Sequence, residues 1–451
     1  MLSDNKQQYI KEEILRKQLI RKSPFNSGDS TIYTACVGEN GRYDQSAIYD
    51  GFKNTVNTLV ESIGEYKNFA DPMVYPILFC VRHCIELFLK DLNSSIQYIK
   101  SVKENRNILI KLKKANRIKS KLEDQIIDKD KMFSFIEINE KRQEILQERL
   151  KKIEAYIGSL TEECFKGEQK EDFTHNLNEL IQKIITNYCI DTRIKEAFDS
   201  VLPLLNFYKD IDPNGDAFRY LADKGGNPHF ESKKIQHVNL KIVSIQFEEI
   251  TNLFRQINWI MFCLTKEYNT GTFTKDLSRK QLEEISRLLP QPNEFNEKIK
   301  EVKNQVKITY NIGSNKFNDA LKIIRSHREF SSYIGEEKKF ASLSEKTIKI
   351  FVECSLKQRK WEEASKEISI NELKLLCTFS EMTGWRYVEK ELAYFSEDLE
   401  LVYSNISEKY NIIGVYINPS IEIDYVIKGM KKCGQITYAK VMEEYLLKLK
   451  K

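Results

Sequence analysis

The sequence predicts an all-α protein, and three observations carry that expectation. Glycine (17) and proline (9) are scarce, together about half of the ~12% usual for soluble proteins, which excludes collagen-like, linker-like and turn-dense β architectures. Hydrophobic residues make up 41% of the 451 and aromatics 11%, enough apolar side chains to exclude wholesale disorder. Apolar residues also recur three and four apart through most of the chain, the spacing of a helix face. At ~100–200 residues per domain, this length predicts two or three domains.

Residues 1–29 are charged from the start and read as an N-terminal helical arm without the apolar core of a signal peptide. A first domain is expected over 30–270. Within it, 46–63 places Ile48, Phe52, Val56, Leu59, Val60 and Ile63 at helical spacing, and 74–92 is almost wholly apolar. Shorter helices are expected over 177–188 and 192–208. A long one is expected over 240–264, with Ile242, Ile245, Ile250, Phe254, Ile257 and Ile260 as its apolar face.

Residues 97–165 differ in composition, dense in Lys, Arg and Glu. Phe135, Ile138, Ile145, Leu150, Ile153 and Ile157 suggest a helix packed on the preceding one. This segment reads as a helical hairpin inserted into the first domain, an antiparallel coiled coil, with two ordinary core helices as the alternative. A second helical domain is expected over 271–451, with helices at 276–289, 315–326, 344–358, 370–382, 387–403 and 438–449 and a short strand at 412–417. No fixed-period repeat relates these helices.

The longest mostly apolar stretches, 75–81 and 257–264, fall short of the ~20 residues that span a bilayer. No membrane partner is therefore expected, and the cytoplasm is the expected compartment. Nine scattered cysteines without C-x-x-C spacing predict reduced thiols rather than a zinc site or disulfide framework. Phosphate-binding glycine loops, nucleophile elbows and H-E-x-x-H are missing from the sequence, so no cofactor and no metal is expected.

The sharpest local feature is V-Y-P-I-L-F-C-V-R-H-C-I-E-L-F-L-K-D-L at 74–92. At ~100° per residue, Arg82, Glu86, Lys90 and His83 share an arc of roughly 100° on an otherwise apolar helix. Such a helix is buried, and buried charges must be paired or used. Arg82 and Glu86, at i and i+4, can neutralise each other; the strip is either self-satisfied or lines a cleft. Cys80, His83 and Cys84 stand at i, i+3 and i+4, but His83 lies ~60° from Cys80 and ~100° from Cys84 and no fourth metal ligand is evident, so the two cysteines read as core thiols.

The segment R-H-C-I-E-L-F-L-K, with Thr174-His175-Asn176-Leu177-Asn178-Glu179-Leu180 downstream, resembles the HEPN superfamily of helical bundles common in bacterial toxin–antitoxin and antiphage systems. The run D-P-N-G-D-A-F-R-Y-L-A-D-K-G-G-N at 212–227 is similar to one in uncharacterised bacterial proteins that carry the same helix. The resemblance covers about 45–265 without the hairpin. It implies a HEPN-like bundle, a homodimer, and metal-independent RNA cleavage by an arginine and a histidine with four to six residues between them. Here His83 follows Arg82 directly, and 87–89 are Leu, Phe and Leu, so His83 or His175 would take the histidine's place.

Arginine suits that chemistry because its fork binds phosphate bidentately, and imidazole because it exchanges protons near neutral pH. Arg219 and His229 lie on a Gly/Pro-rich segment expected to form a short extended ribbon and turn. Its amides are either a phosphate cradle or an ordinary turn held by Asp and Gly. His237 and His327 are expected at the surface. Residues 100–121 hold nine basic side chains against one acid, Glu104. Lys111, Lys113, Lys114, Arg117 and Lys119 there form either an electrostatic track for nucleic acid or a solvated face paired with the acids of the next helix. The function expected is a ribonuclease effector in prokaryotic defence with RNA as partner. The alternative is a non-catalytic interaction module or nucleic-acid-binding subunit of a defence complex, docking a protein partner.

Overall fold

Every regular element among the described residues is a helix, and no strand forms among them. The computed structural model describes residues 45–65, 69–131, 140–165, 174–212, 228–364, 366–382, 387–389 and 423–450, with isolated positions at 13, 16, 20, 34–36, 215, 218, 220 and 226. In chain order the helices are α1 (Gln45–Glu65), α2 (Ala70–Glu104), α3 (Arg106–Lys131), α4 (Glu140–Cys164), α5 (Leu177–Asn187), α6 (Thr192–Lys209), α7 (His229–Ser232) and α8 (Leu240–Tyr268). They are followed by α9 (Arg279–Leu288), α10 (Phe295–Thr309), α11 (Ser314–Ser326), α12 (Arg328–Tyr333), α13 (Glu345–Ser355), α14 (Trp361–Ala364), α15 (Ile370–Glu381), α16 (Ile423–Lys432) and α17 (Ile436–Leu449). The expected strand at 412–417 and most of the expected helix at 387–403 lie outside the described residues.

The chain divides into two compact units, Met1–Cys84 with Asn239–Thr251, and Ile85–Val238 with Asn252–Lys451. In the first, α1 buries Tyr49 and Val56, the start of α2 buries Ile77, Leu78 and Val81, and the start of α8 buries Val243, Phe247 and Ile250. Polar pairs border this core: Lys53 with Glu248 at 3.0 Å and the Ser244 hydroxyl on Asn57 at 3.1 Å.

In the second unit, α2 continues as a core helix through Phe88, Leu89, Leu92, Ile96 and Ile99. Phe88 stacks on Phe254 of α8, the rings nearly parallel at 8°. Helices α3 and α4 pack on each other. The Asn105 amide donates to the Cys164 carbonyl and Lys119 pairs with Glu154, so the two run antiparallel. Leu146, not the expected Ile145, turns inward on α4, while Phe135 and Ile138 lie outside the described residues.

Local sequence explains where the later helices start. Asn176 and Asp191 cap α5 and α6 with their side-chain oxygens, and Ser278 with Gln281 and Ser369 with Glu372 form capping boxes ahead of α9 and α15. Two further apolar clusters follow, one around Leu282, Ile285, Phe317 and Phe330 and one around Phe351, Leu376, Phe379 and Met430. In the latter, α15 and α16 pack against each other at Gly429, where any β-carbon would overlap the Phe379 carbonyl. Gly429→Ala is expected to lower stability at the upper end of ~1–3 kcal/mol, read as a drop in the urea midpoint; an unchanged midpoint would mean that the helices separate freely.

Helix α2 is long and apolar enough to cross a membrane by length and composition, unlike the shorter runs visible in the sequence. Half of that window is nonetheless buried inside the protein, as befits a core helix.

Candidate functional site

Helix α2 carries the predicted polar strip, and its members meet different surroundings. Arg82 and Glu86 are each 2% exposed. His83, half-buried, stacks on Phe79 at 5.6 Å and meets the edge of Phe52 at 5.4 Å, so its ring is held as an aromatic core side chain is. Cys80 and Cys84 are thiols of the same core. Burial raises both above their ordinary pKa, Cys84 to about 12 with Cys80 adding to the shift. No disulfide forms among the described residues.

His175 is brought to the strip across 89 residues of sequence. The Thr174 hydroxyl accepts from the Asn176 amide and donates to Glu179, and Asn176 caps α5. This turn projects the His175 ring toward α2, where Nδ1 lies 2.7 Å from Oε1 of Glu86. Lys90, one turn further along α2, donates to the same Oε1 at 2.9 Å. A carboxylate only accepts hydrogen bonds, so Nδ1 donates and the neutral ring keeps its lone pair on Nε2. The imidazole is 64% exposed while the carboxylate that orients it is 3% exposed. A buried carboxylate holding an exposed imidazole in one tautomer is a geometry able to accept a proton at Nε2.

The loop candidates contribute less. Arg219 lies outside the described residues, and His229 opens the four-residue α7 with its side chain also outside them. Gly215 adopts a φ of 83°, open to glycine, and its amide donates to Asp212 at 2.8 Å.

The basic run is split by helical geometry. Lys103 donates to the Ile190 carbonyl and lies over the Tyr268 ring, and Arg106 donates to the Gly271 carbonyl. Lys113 donates to the Asn269 carbonyl. Arg106 and Lys113 thus satisfy carbonyls just past the C-terminal end of α8, where positive charge is favoured. Burial pushes Lys113 down to about 8. Lys119 pairs with Glu154 at 3.0 Å and Glu123 at 3.5 Å. Lys111, Lys114 and Arg117 stay exposed.

Two charged clusters of the second unit were not visible in the sequence. Arg193 forks onto Asp191 and Glu267, and the Tyr268 hydroxyl donates to Asp191 at 2.8 Å. Arg279 is clasped by Glu329 and Glu389 between the rings of Phe330 and Tyr387. His327, expected at the surface, is instead 9% exposed. Its Nδ1 accepts from the Phe330 amide as the cap of α12, and its Nε2 meets Glu389 at 2.9 Å.

The ligand-type atoms of His327, Glu329 and Glu389 lie within 4.8 Å of one another. The guanidinium already supplies the positive charge between those carboxylates, however, and both imidazole nitrogens are engaged. The cluster is an arginine-centred ion network.

Burial raises the pKa of Glu389, but hydrogen bonds and charge from His327 and Arg279 outweigh it and hold the carboxyl far below its ordinary 4.5. With a folded value below the unfolded one, the stabilisation is complete above about pH 5 and drains as pH falls. The urea midpoint is therefore expected to drop steeply on acidification, and less so in Glu389→Gln; parallel acid limbs would contradict this.

No family model, curated protein or solved structure matches the chain.

Proposed function

We propose that this chain is a metal-independent endoribonuclease in which His175 is the catalytic base, Glu86 positions it and Lys90 supplies positive charge for the phosphate. The carrying observation is the 2.7 Å contact between the exposed His175 ring and the buried Glu86 carboxylate. His175 Nε2 takes the proton of a ribose 2′-hydroxyl. The 2′-oxygen bonds to the adjacent phosphorus, the P–O5′ bond breaks, and the 5′-oxygen leaves with a proton from solvent. A 2′,3′-cyclic phosphate and a 5′-hydroxyl result. Arg82, 2% exposed, takes a supporting role within α2 and not direct phosphate contact.

In this reading the unit is a HEPN-like bundle, α3 and α4 are its inserted hairpin, and Lys111, Lys114 and Arg117 give RNA an electrostatic approach. A cytoplasmic homodimer acting in prokaryotic defence completes it. The test is incubation of the full chain with assorted RNAs in EDTA. Cleavage supports the proposal, and intact RNA at all lengths rejects it.

A second reading, a non-catalytic helical interaction module, draws on the burial of Arg82 and the ring contacts of His83. It requires RNA to survive this incubation and the chain to retain a protein partner through its charged helices.

A further inference from the structure

Lys113 of α3 is a half-buried amine that meets a carbonyl and not a carboxylate. Among the described residues it donates to Asn269, and no acid reaches it as an ion pair. Its Nζ faces Gly271, where a β-carbon would lie 3.6 Å from it. Gly271 adopts a φ of 77°, so the turn brings bare backbone to the amine. Arg106, two turns earlier on the same face of α3, donates its Nε to the Gly271 carbonyl at 3.0 Å. Its two terminal nitrogens have no acceptor among the described residues, and its guanidinium lies 5.7 Å from the centre of the buried Phe273 ring.

Burial is the main cause that brings the Lys113 pKa down to about 8. Glu389 opposes the shift but is already held by Arg279 and His327. The positive charges of Arg117 and Arg106 add to it. At pH 7.5 about a quarter of such amines are neutral, against about one in a thousand at lysine's ordinary ~10.4. A desolvated lysine beside other cations is a nucleophile.

The surroundings also select the electrophile. An imine formed with an aldehyde is neutral or cationic, and an acetyl amide is neutral, so neither gains from the arginines. Carbon dioxide gives an N-carboxylate anion, for which the charges that disfavour the ammonium become attractive. We propose that Lys113 is a carbon dioxide site, forming a carbamate that Arg106 holds against the turn at 269–271. The Nζ lone pair bonds to the carbon of CO2, one C–O π pair moves onto oxygen, and a proton leaves the nitrogen for water. The nitrogen keeps one hydrogen, which donates to Asn269 as before, and the new carboxylate accepts from the terminal nitrogens of Arg106. A repulsive pair of cations becomes a bridge between α3 and the turn after α8. The site does not use His175 and does not rest on RNA cleavage.

The test is trapping with triethyloxonium ion, which converts a carbamate to its ethyl ester. The full chain is treated in bicarbonate at about pH 8 and its peptides are read by mass spectrometry. Lys111 and Lys114, exposed on the same helix, are internal controls. Lys113 is expected to carry the ester at least about tenfold more often than either, from its larger neutral fraction. Urea should erase that preference. Arg106→Gln should lower the yield about tenfold, the worth of one charge-assisted hydrogen bond. Circular dichroism checks that the variant folds, and the urea comparison decides for wild type alone.

An ester absent from Lys113, equally frequent at Lys111 and Lys114, or unaffected by urea overturns the site. An unchanged yield in folded Arg106→Gln overturns the carbamate's placement against that guanidinium. With 13C-bicarbonate, a carbamate signal in wild type that disappears in Lys113→Gln supports the assignment, and one that persists contradicts it.

Discussion

His175→Ala is expected to reduce RNA cleavage by about 10²–10⁴-fold, the usual contribution of a positioned acid–base group. The fold should survive the change, because the imidazole is 64% exposed and α5 is capped by Asn176, not by His175. Glu86 keeps Lys90 as a partner at 2.9 Å, so its carboxylate is not stranded when the ring is removed. The signature is a large kinetic loss at an unchanged urea midpoint. A structural role for His175 would show the opposite: unaltered cleavage, where there is any, and a lowered midpoint.

Arg279→Met should give the largest loss of stability. The guanidinium is 4% exposed and bridges Glu329, itself 3% exposed, to Glu389. Charge and hydrogen bonds from both carboxylates outweigh its burial and hold it protonated. Removing it leaves two enclosed carboxylates facing each other, a change worth about 3–5 kcal/mol in comparable sites. Urea unfolding measures this. The double variant Arg279→Met with Glu329→Gln should lose less than the two single losses added, since one stranded charge is gone. A loss below about 1 kcal/mol in Arg279→Met would show that the network contributes little, as exposed pairs do.

Helix existence was widely legible because amphipathic spacing is local. The segment expected over 46–63 forms over Gln45–Glu65, and that over 177–188 forms over Leu177–Asn187. Helix α10 escaped notice because its spaced apolar residues are diluted by Lys and Glu, and it buries only Val306. In α8 the expected face mixed two stripes. Ile250, Phe254 and Ile257 are buried, but Ile242 and Ile245 are exposed, with Val243 and Phe247 turned inward in their stead.

Charge proved harder to place than apolarity. A run of nine cations looks uniform in one dimension, yet Arg106 and Lys113, seven apart, share the face that meets the end of α8. That spacing was readable; its target was not. The Arg279 network draws on positions 279, 327, 329 and 389, and nothing local in R-S-H-R signals burial. His175 could be weighed as a partner for the α2 strip from sequence, but that Glu86 would receive it depended on the fold.

The chemistry of the product ends tests the ribonuclease proposal most directly. Unpaired RNA is incubated with the full chain in EDTA and the fragments are resolved by mass spectrometry. Wild type is expected to yield 2′,3′-cyclic phosphate and 5′-hydroxyl ends, and His175→Ala to leave the RNA intact over the same period. Intact RNA with wild type, fragments ending in 5′-phosphate, or identical fragments from both proteins would contradict it.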